Sequence, residues 1–74
     1  MKAGVQIKIR LLENRLTQAW LIFQLEQLDL SLDKSTLCDI LSGRRKGQKA
    51  NEVIEKAEFV LKKYEETYAR ALTA

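Results

Sequence analysis

Between Ala50 and Leu72 the chain spaces Ala50, Val53, Ile54, Ala57, Val60, Leu61, Tyr64, Tyr68, Ala71 and Leu72 three and four residues apart, with no proline to interrupt them. That spacing is the stripe of an amphipathic helix, and it predicts one continuous helix over about 48–72. Twenty-five residues rising 1.5 Å each extend about 37 Å, further than the remaining helices of so short a chain can cover. The far end is therefore expected to need a second copy, which makes Val60, Leu61, Tyr64, Tyr68 and Leu72 a candidate dimer interface. The whole 74-residue chain lacks proline, and Gly43 and Gly47 are its clearest interior breaks. The fold class predicted is all-α, a compact bundle of about four helices in a single domain spanning 1–74, with a core at about 5–54.

Two helix starts are written locally. Leu16-Thr17-Gln18-Ala19-Trp20-Leu21 sets a capping threonine between leucines at N′ and N4, the spacing of a hydrophobic staple. Leu32-Asp33-Lys34-Ser35-Thr36-Leu37 repeats it with Asp33 as the cap, whose carboxylate suits the positive end of the helix dipole. The second helix then buries Leu21, Leu25 and Leu28 with Ile22 beside them, and Trp20 and Phe23 become core or interface aromatics. The third, about 33–42, buries Leu37, Ile40 and Leu41. It turns Lys34, Ser35, Thr36, Asp39 and Ser42 outward, with Gly43 at the left-handed position past its end. Cys38 falls beside the buried face, as a small surface filler. A first helix is predicted over about 2–14 on the stripe Val5, Ile9, Leu12, Leu16. The alternation of Val5 to Leu11 also fits a strand, but a lone strand in a helical chain has no partner.

Composition narrows function. A chain of this size buries only about 60% of its unfolded surface, so its core is marginal. Its 46% hydrophobic and 31% charged residues are those of a globular domain. There is no histidine, and Cys38 is the only cysteine. Cys/His catalysis, cysteine-based zinc sites and internal disulfides are thereby removed. The three glycines form no phosphate-binding loop. No enzyme, catalytic residue, metal, cofactor or small-molecule ligand is expected. The longest apolar run, Ala19 to Phe23, falls far short of the ~20 residues of a membrane span. The charged N-terminal stretch has no signal-peptide core, so a cytoplasmic protein without membrane contact is expected. The net charge of +3 is uneven: residues 1–50 carry +4 and residues 51–74 carry −1. A basic excess confined to one region is what a polyanion-binding face requires.

Two short helices, the second opening on polar residues, are the frame of a helix-turn-helix, whose second helix enters the DNA major groove. Lys34, Ser35, Thr36 and Asp39 are the candidate base-contacting residues. Lysine can donate to guanine O6 or N7, hydroxyls pair with several bases, and a carboxylate accepts from cytosine N4. Asp39 has a competing partner in an arginine of the following loop. Arg44, Arg45 and Lys46, with Lys49 beyond, are candidate phosphate contacts, supplying affinity without sequence reading.

At this point LTQAWL, LDKSTLCDIL and SGRRKG, in that order, resemble the signature segments of the Cro/repressor (XRE) type of helix-turn-helix regulator of phages and bacterial mobile elements. The resemblance covers roughly residues 7–54. It implies that Gln18 binds a phosphate and braces the recognition helix. It further implies that Lys34, Ser35, Thr36 and Asp39 face the groove, and that the Gly43–Lys46 loop lies on the backbone. Such regulators act as dimers on palindromic operators, so double-stranded DNA and a second copy are the expected partners of a transcriptional repressor. The segment from Glu26 to Ser31 is about five residues longer than the family's turn, through either an extended second helix or a larger loop. A reading of another class keeps the same fold: a small helical interaction module that binds a protein, as an antirepressor, an antitoxin or an inhibitor of a bacterial defence system does.

Overall fold

A computed structural model describes the backbone of residues 3–73 and the side chains of residues 3–68. Among the described residues there are four helices and no strand: α1 (Ala3–Glu13), α2 (Gln18–Gln27), α3 (Lys34–Leu41) and α4 (Gln48–Thr73). The starts of α2 and α3 and the ends of α1, α2 and α3 fall where particular groups satisfy their free backbone ends. The all-α class holds, and the alternating stretch Val5 to Leu11 is helical. Thr17 caps α2 by accepting the Trp20 N–H on Oγ1 at 3.0 Å, and Asp33 caps α3 by accepting the Thr36 N–H on Oδ1 at 2.9 Å. Leu16 and Leu32 pack against the core that holds Leu21 and Leu37, on the side of the core a staple requires.

The stops of α1, α2 and α3 share one device. Leu16 N–H reaches the Leu11 carbonyl and Arg15 N–H that of Leu12. Leu30 N–H reaches Leu25 and Asp29 N–H reaches Glu26; Arg44 N–H reaches Asp39 and Gly43 N–H reaches Ile40. This paired bonding is the Schellman motif, which needs a left-handed residue at C′. Gly43 fills that place at φ 84°, as its position predicts, while Arg15 (58°) and Asp29 (65°) fill it without being glycine. The long segment after α2 is thereby explained. The helix runs on to Gln27, and a Schellman turn returns Leu30 to the core before Asp33 starts α3.

The face of α1 differs from the predicted stripe. Gly4, Ile7 and Leu11 are buried, whereas Ile9 is 39% and Leu12 is 76% exposed. Gly4 sets this orientation. A Cβ there would collide with the Leu41 carbonyl oxygen and lie 2.9 Å from the Leu41 Cα. Only a bare Cα lets α1 lie this close on the end of α3, and the rotation that puts Gly4 inward carries Ile7 and Leu11 with it. Apolar side-chain counting is blind to such a position.

The core joins all four helices: Ile7 and Leu11 of α1, Leu21 and Leu25 of α2, Leu37, Ile40 and Leu41 of α3, and Ala50, Val53, Ala57 and Leu61 of α4. Ile54 packs against it, and the α4 stripe is the predicted one as far as its side chains are described. Leu28, expected inside, is only half-buried, and Leu30 takes the buried place. Phe23 lies 57% exposed. No helix among the described residues is long and apolar enough to cross a membrane.

Candidate functional site

The polar residues picked out in α3 do not form one surface; the helix divides them between two hollows. On one side, between α3 and the start of α2, lie Gln18, Lys34, Ser35, Asp39 and Arg44, with Thr17, Ala19 and Cys38 completing the wall. On the other, between α3 and the start of α4, lie Asp33, Thr36, Arg45, Lys46 and Lys49. Residues 34, 35, 38 and 39 line the first hollow and 33, 36 and 40 the second, with Thr36 and Asp39, three residues apart, neighbours where the two sides meet. Lys34 and Ser35 are exposed at the helix start, and Thr36 and Asp39 are partly covered.

Thr36 therefore does not join Lys34 and Ser35. Its N–H and hydroxyl turn toward the Asp33 carboxylate and hold that group below its ordinary pKa, the hydroxyl contributing most. Arg44, Arg45 and Lys46 are likewise not a single clamp. Gly43, being left-handed, sends Arg44 back over the last turn of α3. There its Nε lies 3.2 Å from the Ser42 hydroxyl oxygen and 3.4 Å from Asp39 Oδ1. Nη2 points to the Cys38 sulfur at 3.9 Å. Asp39 thus takes the arginine partner foreseen for it. Its own carbonyl accepts from the Arg44 and Arg45 N–H groups and from the Ser42 hydroxyl. Arg45, Lys46 and Lys49 are exposed, and their side chains make no hydrogen bond among the described residues. The anchoring part of Ser42 and the wall position of Thr17 go beyond the sequence reading. A serine just ahead of the Gly-Arg pair is the one local hint of the first.

The residues expected at a dimer contact also divide. Leu61 is fully buried and Val60 is 8% exposed, so the chain's own helices satisfy their apolar spacing. Tyr64 is half-buried under Trp20, ring centroids 5.5 Å apart and nearly edge-on, and Tyr68 stacks on Tyr64 at 5.9 Å. Tyr68 is 51% exposed, and Leu72 lies outside the residues whose side chains are described. Trp20, unassigned between core and interface, joins α2 to α4 and forms a wall of the groove between them, where Phe59 is also exposed.

A separate polar cluster ties α1 to α4. Arg10 Nη2 donates to Glu65 Oε1 at 2.7 Å and Nε to Oε2 at 3.3 Å, while Asn14 Nδ2 donates to the same Oε2 at 2.9 Å. The Arg10 hydrogen bonds hold the Glu65 carboxyl below the usual range, and Glu65 raises Arg10. The chain matches no protein-family model, no curated protein and no solved structure.

Proposed function

We propose that the protein is a sequence-specific double-stranded DNA-binding regulator of the repressor type, acting in the cytoplasm by occupying an operator as a homodimer. One observation carries the reading: α3 exposes a polar start, Lys34 and Ser35, and has a cation-bearing hollow along each flank. An α-helix is about 10–12 Å across with its side chains, which suits a major groove about 12 Å wide, and the eight residues of α3 give it about 12 Å of length to lay along that groove. Arg45, Lys46 and Lys49, on the α4 side of such a rod, fall toward a phosphate backbone that borders the groove, while Lys34 and Arg44 lie on its other side. Gln18, at the first position of α2, lines the same hollow as Lys34 and Ser35, where a helix start offers free backbone N–H groups to an anion.

The test is selection of duplexes from a genomic library with purified protein, followed by affinity against salt. A short enriched motif is expected, with log affinity falling by about 0.9 per decade of salt for each phosphate neutralised. Arg45→Ala combined with Lys46→Ala should weaken every duplex and flatten that slope. Unchanged affinity in this double variant would end the operator reading. Sedimentation of the DNA-free and DNA-bound protein tests the homodimer, and a single chain in both states excludes it.

The exposed rings Phe23, Phe59 and Tyr68 favour a second reading, a helical module whose partner is another protein. Apolar docking of that kind responds little to salt, so the same titration separates the two.

A further inference from the structure

We infer that Arg44 reads a base edge, a guanine, and that Asp39 is its positioning residue. This deepens the DNA-binding reading and rests on it. Three observations converge. Arg44 lies in the hollow with Gln18, Lys34 and Ser35, whereas the remaining loop cations lie across α3 with Lys49. Its exposed guanidinium is contacted along one edge: Nε faces the Ser42 oxygen at 3.2 Å and Asp39 Oδ1 at 3.4 Å, and the Gly43 turn bonds its backbone to Asp39. The anchoring uses the Nε edge and, weakly, Nη2, while Nη1 has no partner among the described residues. The terminal amino groups thus keep donors for a ligand.

Guanine presents O6 and N7 side by side, and a planar guanidinium meets both with two parallel hydrogen bonds. That geometry rewards a fork already biased toward one orientation, as the Ser42 and Asp39 contacts on Nε bias this one. A phosphate needs only positive charge nearby, which the unanchored Arg45, Lys46 and Lys49 supply. The same pairing gives Asp39 a place near a polyanion, because its carboxylate is offset by the guanidinium it orients.

The experiment uses the full chain and the duplex it selects. Affinities are measured for that duplex and each single-base-pair variant of it, with wild type, Arg44→Ala, Arg44→Lys, Arg45→Ala and Asp39→Asn. Arg44→Ala should erase discrimination at one G·C pair by roughly tenfold or more and leave other positions intact. Arg44→Lys should keep the salt slope and lose most of that preference, whereas Arg45→Ala should weaken all variants equally. Asp39→Asn should reduce the preference at the same pair by about threefold, the scale of an exposed ion pair. Adding Asp39→Asn to Arg44→Ala should then leave discrimination at that pair unchanged, while the loss of an unpaired carboxylate raises affinity for all variants equally. Uniform loss in Arg44→Ala overturns the inference alone, and additive loss of discrimination in the double variant overturns the role of Asp39. A wild-type chain that enriches no duplex overturns the DNA-binding reading and this inference together.

Discussion

At the scale of single residues, the position that most shapes the molecule has no side chain. Gly4 touches the Leu41 backbone, where a methyl group would overlap main-chain atoms that cannot swing aside. Gly4→Ala should therefore force α1 off α3 and destabilise the fold by roughly 1–3 kcal/mol, the usual cost of overpacking. Urea unfolding reads this directly, and a midpoint equal to wild type would mean that α1 is not seated as described. The same glycine explains why the buried face of α1 is hard to read from sequence. Val5, Ile9 and Leu12 form a plausible apolar stripe, but the rotation is decided by closest approach, a quantity no apolar pattern contains. Gly43 is the opposite case: its place just past Ser42 makes it readable as a left-handed stop, and its φ of 84° agrees.

At the scale of elements, the starts of α2 and α3 are legible and so is the stop of α3, whereas the stops of α1 and α2 are not. Thr17 and Asp33 announce α2 and α3 because a cap is a bond between residues three apart, written entirely in local sequence. The stops of α1 and α2 use Arg15 and Asp29 in a conformation that glycine ordinarily takes, so nothing marks them beforehand. What sustains them is tertiary: Leu16 and Leu30, one residue further on, each pack on the core. The candidate site divides similarly. Its residue types are visible in LDKSTLCDILSGRRKG, but their separation across α3 depends on where α2 and α4 approach that helix. Arginine gains nothing from its left-handed backbone. Arg15→Gly should relieve about 1 kcal/mol of strain, partly offset by the greater freedom glycine has when unfolded. A net stabilisation of roughly 0.5 kcal/mol is expected in thermal or urea unfolding, and a destabilised variant would show that the Arg15 side chain contributes more than its backbone costs.

At the scale of the whole molecule, the Arg10–Glu65 pair fastens α1 to α4 across 55 residues of chain. Each partner is about a third exposed, at 29% and 37%, so solvent screens the attraction. Exposed pairs are worth about 0.2–1 kcal/mol, and the two-pronged geometry with Asn14 places this one near the upper end. Its pH dependence follows from Glu65, because Arg10 is raised above an already high value and stays charged throughout. The folded Glu65 carboxyl lies below its ordinary range, chiefly through the Arg10 hydrogen bond. A depressed carboxylate stabilises fully above the unfolded pKa of about 4.3 and loses that contribution as pH falls through the folded value. Asp33, also depressed by its cap bonds, adds to the same acid weakening and must be separated from it. Glu65→Gln does so, since it leaves Asp33 intact and retains an oxygen for Arg10. The stability difference between wild type and Glu65→Gln should be constant at neutral pH, shrink below about pH 4.3, and approach zero once Glu65 is protonated in the fold. Added salt should reduce the neutral-pH difference. A difference of the same size on both sides of the transition would assign the contact between α1 and α4 to packing alone.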